Sequence, residues 1–182
     1  VDIVNLGSRD ITVQTEGAIK ATQTISVDNS GTTTVNFNAK DAEAAKKSTG
    51  PTTEVALGNV TLSNAAAAVI NVNDYVNFNA TLDAAKATDV TLNIASAKNS
   101  ATTPTEQTAF TGVLKAAKAT SVTINAEGSL SLVTASDLAK VETLNLTTTG
   151  AADISKANLV SASTVILGGT ATTSAVYFDL SI

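Results

Sequence analysis

The side chains in this sequence that could do chemistry are few, and nearly all are oxygen donors. Its 182 residues include no Cys and no His, which removes thiolate nucleophiles, disulfides, the commonest general base and most transition-metal sites. A serine triad has no imidazole to run on. What remains is carboxylate and amide oxygen, the donor set of a hard cation such as calcium. Asn71, Asn73 and Asp74 form the preferred cluster, with looser groups at Asp28 to Gly31 and at Asp83 with Asp89. None matches a recognised calcium loop, and calcium is the candidate cofactor. No organic cofactor is expected. Acid–base pairs are cruder still: Arg9 beside Asp10 and Tyr75 beside Asp74 are the candidates, and both read as surface residues. No catalytic residue is assigned.

A second group of polar residues recurs inside a repeated phrase. Ala84-Ala-Lys-Ala-Thr-Asp-Val-Thr-Leu-Asn93 returns as Ala116-Ala-Lys-Ala-Thr-Ser-Val-Thr-Ile-Asn125 and again as Leu138-Ala-Lys-Val-Glu-Thr-Leu-Asn145, with a weaker copy from Leu159 to Gly168. Each copy alternates apolar and polar residues rich in β-branched types, the period of a strand with one buried face. Val90, Leu92 and Ile94 point inward on this reading. Thr91 with Asn93, Thr123 with Asn125 and Thr143 with Asn145 point outward, as a flat polar row for a neighbouring subunit, a sugar or ordered water. Lys86, Lys118 and Lys140 recur just before each strand and read as solubility and edge protection.

The elements that must position these rows are short strands joined by turns. Taking the Asn residues as equivalent gives steps of 32 residues (93 to 125) and 20 (125 to 145), hence a basic period near twenty with one insertion. That insertion is placed at about 99–118, as a helix from about Pro104 to Lys118. Thr103, Pro104 and Glu106 supply a capping box, and Phe110, Val113, Leu114 and Ala117 an apolar stripe. Val35-Asn-Phe-Asn38 and Val76-Asn-Phe-Asn79 read as copies 41 residues apart. Ile3 to Leu6, Ile11 to Val13, Ile25 to Val27 and Val60 to Leu62 read as further strands, and Ala39 to Lys47 and Leu82 to Ala87 as short helical turns.

Such repetition predicts a mainly β fold: one repeat-built domain over 1–182, cut from a longer chain. It is a parallel β-solenoid, either a right-handed β-helix or a leucine-rich-repeat-like stack, with short helical insertions and roughly eight or nine coils. An antiparallel β-sandwich is the alternative. Hydrophobic residues make up 43% of the chain but aromatics only 3%, which suits a narrow layered interior better than an enzyme pocket. A net charge of −5 with a single arginine argues against nucleic acid. No apolar run reaches membrane-spanning length, so no membrane insertion is expected.

The phrase of small apolar residues leading into Val90-Thr-Leu-Asn-Ile94, with Thr- and Ala-rich turns, resembles the repeat region of RTX-type Gram-negative surface-layer proteins exported by type I secretion. The resemblance runs from about Ala80 to Gly169. It implies an extracellular, cell-surface β-solenoid that self-associates into a lattice with calcium between subunits. The family's glycine-rich calcium nonapeptide is absent: the Gly168-Gly169 pair runs on into Thr-Ala-Thr-Thr, so no calcium ligands carry over. The leading functional expectation is a structural, non-enzymatic S-layer segment contacting copies of itself or neighbouring domains of its own chain. A stalk or binding module of a secreted adhesin, meeting cell-surface glycan, comes second, and a polysaccharide-degrading β-helix third.

Overall fold

Seven strands lie side by side in one sheet: Ile11–Glu16, Thr32–Asn38, Ala67–Val72, Asp89–Ile94, Ser121–Ala126, Thr143–Thr148 and Thr164–Gly168. The structure, a computed structural model, describes residues 1–4, 7–17, 19–47, 54–56, 58–98, 100, 108–169 and 176–177. After each strand of the long sheet from Thr32–Asn38 onward, the chain adds a strand to a six-stranded sheet, from Glu54–Ala56 to Val76–Phe78 and on to Val176–Tyr177. It then turns through a five-stranded sheet that includes Ile25–Val27, Thr81–Asp83 and Val113–Lys115. Every strand pairing among the described residues is parallel, between successive turns of the coil. This is a parallel β-solenoid with three faces, and the antiparallel sandwich is set aside.

Alternation decides which side chains are inside. In Asp89–Ile94 the burial runs exposed, then buried at every second residue, as the β-branched pattern requires. Leu92, Ile124 and Leu146 stack in one inward column, and Leu82 and Leu114 in another. Inward residues of all three sheets join a single core cluster. Phe37, Phe78 and Phe110 form a column of rings with centroids 4.9 and 5.0 Å apart, beneath the corner between the long and six-stranded sheets. The corner into the long sheet is built differently, from four-residue turns closed by Ala87 N–H to Ala84 O, Ala119 N–H to Ala116 O and Val141 N–H to Leu138 O at 2.9–3.0 Å. Ala84, Ala87, Ala116 and Ala119 are wholly buried there, as are Leu138 and Val141 at the same positions of the third turn.

Register corrects the expected spacing. Ala67 pairs Asp89, and Ser121 pairs Thr143, each 22 residues on. Thr32 pairs Ala67 at 35 residues and Asp89 pairs Ser121 at 32, so two coils carry insertions and the long sheet counts seven rungs. Asn145 lies opposite Thr123, and Asn125 opposite Thr147, two residues away from the alignment by matching letters. Val35 to Asn38 belongs to the long sheet and Val76–Phe78 to the six-stranded one, so they are not equivalent; Phe37 in fact pairs Val72.

Two helical expectations also fail. The described part of 99–118 forms the strands Ala109–Phe110 and Val113–Lys115 followed by a turn, while Thr103, Pro104 and Glu106 lie outside the described residues. Phe110 stacks on Phe78, and a Cβ on Gly112 would overlap the Ala80 carbonyl of the coil beneath; these contacts between coils outweigh a marginal helical stripe. Leu82 to Ala87 is likewise a strand end and a tight turn. The helix at Ala42–Lys47 does form, as expected within Ala39 to Lys47.

Candidate functional site

Outward residues of the long sheet make a flat face of hydroxyls and amides. Asn36, Asn71, Asn93 and Asn125 occupy one column on successive rungs. Their side chains form a continuous ladder: Asn71 Nδ2 donates to Asn36 Oδ1 at 2.7 Å, Asn93 to Asn71 at 2.7 Å and Asn125 to Asn93 at 2.8 Å. In the next column Asn73 donates to Asn38 Oδ1 at 2.8 Å. Thr34, Val69, Thr91, Thr123 and Asn145 form the column on the other side. Of the six residues expected on this face, Thr91, Asn93, Thr123 and Asn125 stand in register in adjoining columns. Thr143 and Asn145 are on the same face but displaced, with Thr143 opposite Ser121.

That ladder settles the oxygen donors differently from the calcium expectation. Asn71 spends both ends of its amide within its column, Asn73 is tied to Asn38, and Asp74 turns toward a different recess. The three do not converge, and they do not fit a cation needing six to eight oxygens. Elsewhere the acids are engaged by their own turn or by the neighbouring coil. Asp83 accepts from Ala85 N–H at 3.0 Å, Asp89 from the Thr88 hydroxyl at 2.8 Å, and Asp28 from Asn64 at 2.6 Å. Asp10 accepts from Thr32 N–H at 3.0 Å, while Arg9 is exposed beside it. Among the described residues no group of three or more acidic, His or Cys side chains could hold a metal.

The corner leaving the long sheet carries both insertions. Between them one coil turns tightly through Asn73, Asp74 and Tyr75. Tyr75 has φ 62°, a left-handed backbone costing a non-glycine residue about 1–2 kcal/mol. Its contacts hold it there. The hydroxyl donates to the Lys98 carbonyl at 2.9 Å, its N–H donates to Thr108 Oγ1 at 3.0 Å, and its carbonyl accepts from Glu54 N–H at 2.9 Å. Both insertions are thereby fastened to one buried tyrosine. A hollow of about 230 Å³ lies above it, lined by Glu43 and Lys46 from one insertion, Lys98 from the other, and Asp74. Sequence supplies a signal for this pairing that the repeat reading passed over. Ala45-Lys46-Lys-Ser48 followed by Pro51-Thr52 and Glu54 matches Ala97-Lys98-Asn-Ser100 followed by Pro104-Thr105-Glu106.

A second recess of about 260 Å³ sits beside the Asn ladder, where Ala95 replaces a polar side chain between Asn73 and Glu127; Asn93 and Asn125 form its flank. On the opposite edge of the long sheet Lys86, Lys118 and Lys140 stand exposed at the same place in successive turns. Neither a family model, nor a curated protein, nor a solved structure matches this chain.

Proposed function

We propose that this chain is a structural segment of a bacterial cell-surface layer, working outside the cell as a rigid unit that makes lattice contacts and performs no catalysis. The observation that carries the reading is the long flat face: four Asn side chains locked amide to amide beside Thr columns. A ladder of this kind fixes side-chain positions before contact, so little entropy is lost when a second surface arrives. Repetition serves the same end, because stacked coils supply extended area from one small unit. Resemblance to RTX-type surface-layer repeats supports the same reading, with self-association as the working interaction. Calcium in such a lattice would have to be held by groups other than Asn71, Asn73 and Asp74.

The test is light scattering of the chain at rising concentration, with calcium added and then chelated. Reversible growth into large regular particles is the expected result, and its dependence on calcium shows whether the ion takes part. A monomer at every concentration rejects lattice contacts within these residues. That outcome favours the second reading, an adhesin binding module. One observation already speaks for it: the hollow framed by both insertions at Tyr75 offers charged groups on a rigid support, as recognition loops do.

A further inference from the structure

Resting on the lattice reading, we infer that copies of this chain pack side by side with Lys118 of one seated in the recess beside Asn73 and Glu127 of the next. The two surfaces belong to opposite edges of the same sheet, and each lacks what the other has. At the lysine edge, Lys86, Lys118 and Lys140 are exposed on three successive rungs about 4.8 Å apart, a like-charge column that costs stability. None makes an ion pair with another described residue. Nearby acids Asp83, Asp137 and Asp89 are engaged by the N–H of Ala85, the N–H of Ala139 and the hydroxyl of Thr88. Lys118 is the middle one of the three, with a like charge on the rung to either side, while Asp89 and Glu142 flank the Thr120–Ser121 step that follows it.

The recess offers the complement. Asn73 commits its amide N–H to Asn38 and keeps its carbonyl oxygen free of any donor, because Ala95 stands where the next ladder amide would be. Glu127 is exposed on the far side, two rungs above Asn73 in the same column. The opening is therefore lined at both ends by oxygen acceptors over a floor whose side chain is Ala95, since Ile94 turns its own into the core. An ammonium on a four-carbon stem meets both demands, head to the oxygens and methylenes to the floor. Because donor edge and acceptor edge differ, the contact is heterologous. Such a contact passes from copy to copy, as an open array unless the rotation between copies closes a ring.

Charge reversal with rescue tests this contact. The wild-type chain, Lys118→Glu, Glu127→Lys and the double variant are compared by sedimentation at rising concentration in low salt, with thermal melting as the check on folding; both side chains are exposed, so all four should melt alike. Each single reversal is expected to weaken association by about tenfold or more, and the double variant to recover it. Association that ignores both reversals overturns the contact while leaving the lattice reading intact. Weakening by Lys118→Glu alone, without rescue, also overturns it and points the lysine column at another partner, such as an anionic glycan. A wild-type chain that stays monomeric throughout overturns both readings.

Discussion

The two long corners of the solenoid follow different rules. Where the chain enters the long sheet, three successive coils use the same four-residue turn, with buried small or branched residues at its ends and a lysine at its third position. Where the chain leaves that sheet, coil lengths of 22, 35 and 32 residues coexist, and a left-handed tyrosine, the phenylalanine column and two recesses are gathered there. One corner keeps the rungs in step and the other absorbs variation. The core explains how the second corner tolerates it: stacked rings of Phe37, Phe78 and Phe110 hold three coils together from inside while their outer loops differ in length.

Removing the middle ring should therefore be the largest single injury. Phe78→Ala takes a fully buried ring from between two others and should cost about 3–5 kcal/mol, read as a lowered denaturation midpoint. A smaller loss is expected from Gly112→Ala, whose new methyl must displace the Ala80 carbonyl; overpacking of this kind costs about 1–3 kcal/mol. If Gly112→Ala proves neutral, the coils at the corner between the six- and five-stranded sheets are looser than their contacts indicate.

The outer face supplies a matched pair. Asn93→Ala removes two amide bonds at once, one to Asn71 and one to Asn125, and should lower stability by roughly 1–2 kcal/mol at about 1 kcal/mol per bond. Asn145→Ala, in the neighbouring column and outside the ladder, should change stability by less than about 0.5 kcal/mol. Equal effects in urea denaturation would mean that the ladder adds nothing beyond ordinary strand polarity.

This pair also shows what could be read from the chain alone. Strand positions, inward residues and the stacking of Asn93 on Asn125 follow from alternation, because a half-buried strand imposes period two on its own sequence. Asn145 misleads because polar outward positions accept Asn and Thr interchangeably, so letter identity there does not report register. The lysines report it better: Lys118 to Lys140 is 22 residues, the true rung, since the turn geometry at that corner is fixed. Asn71 and Asn73 look like cation ligands in one dimension and become ladder members only when coils 22 and 35 residues apart are laid together. The strands at Phe110 and Val113 were hidden for a related reason. Phe110, Val113 and Leu114 are spaced like a helical stripe, and only the coil beneath, through Phe78 and Ala80, selects the extended form.

The smallest expected effect concerns acid. At the turn leaving the six-stranded sheet, Asp153 accepts the Ser155 hydroxyl at 2.7 Å and the Ser155 N–H at 3.0 Å. The hydroxyl bond is the main reason that its carboxyl pKa is held below the usual value, with the backbone N–H second and Lys156 adding slightly. A carboxylate favoured by the fold adds stability above its unfolded pKa and loses it as pH falls through its lower folded pKa. Ser155→Ala removes the stronger of the two bonds and should move the Asp153 titration upward in a carbon-detected NMR titration. The difference in stability from wild type should be present at neutral pH and fade in strong acid. If the Asp153 titration stays where it is in the variant, the Ser155 hydroxyl is not what favours the carboxylate.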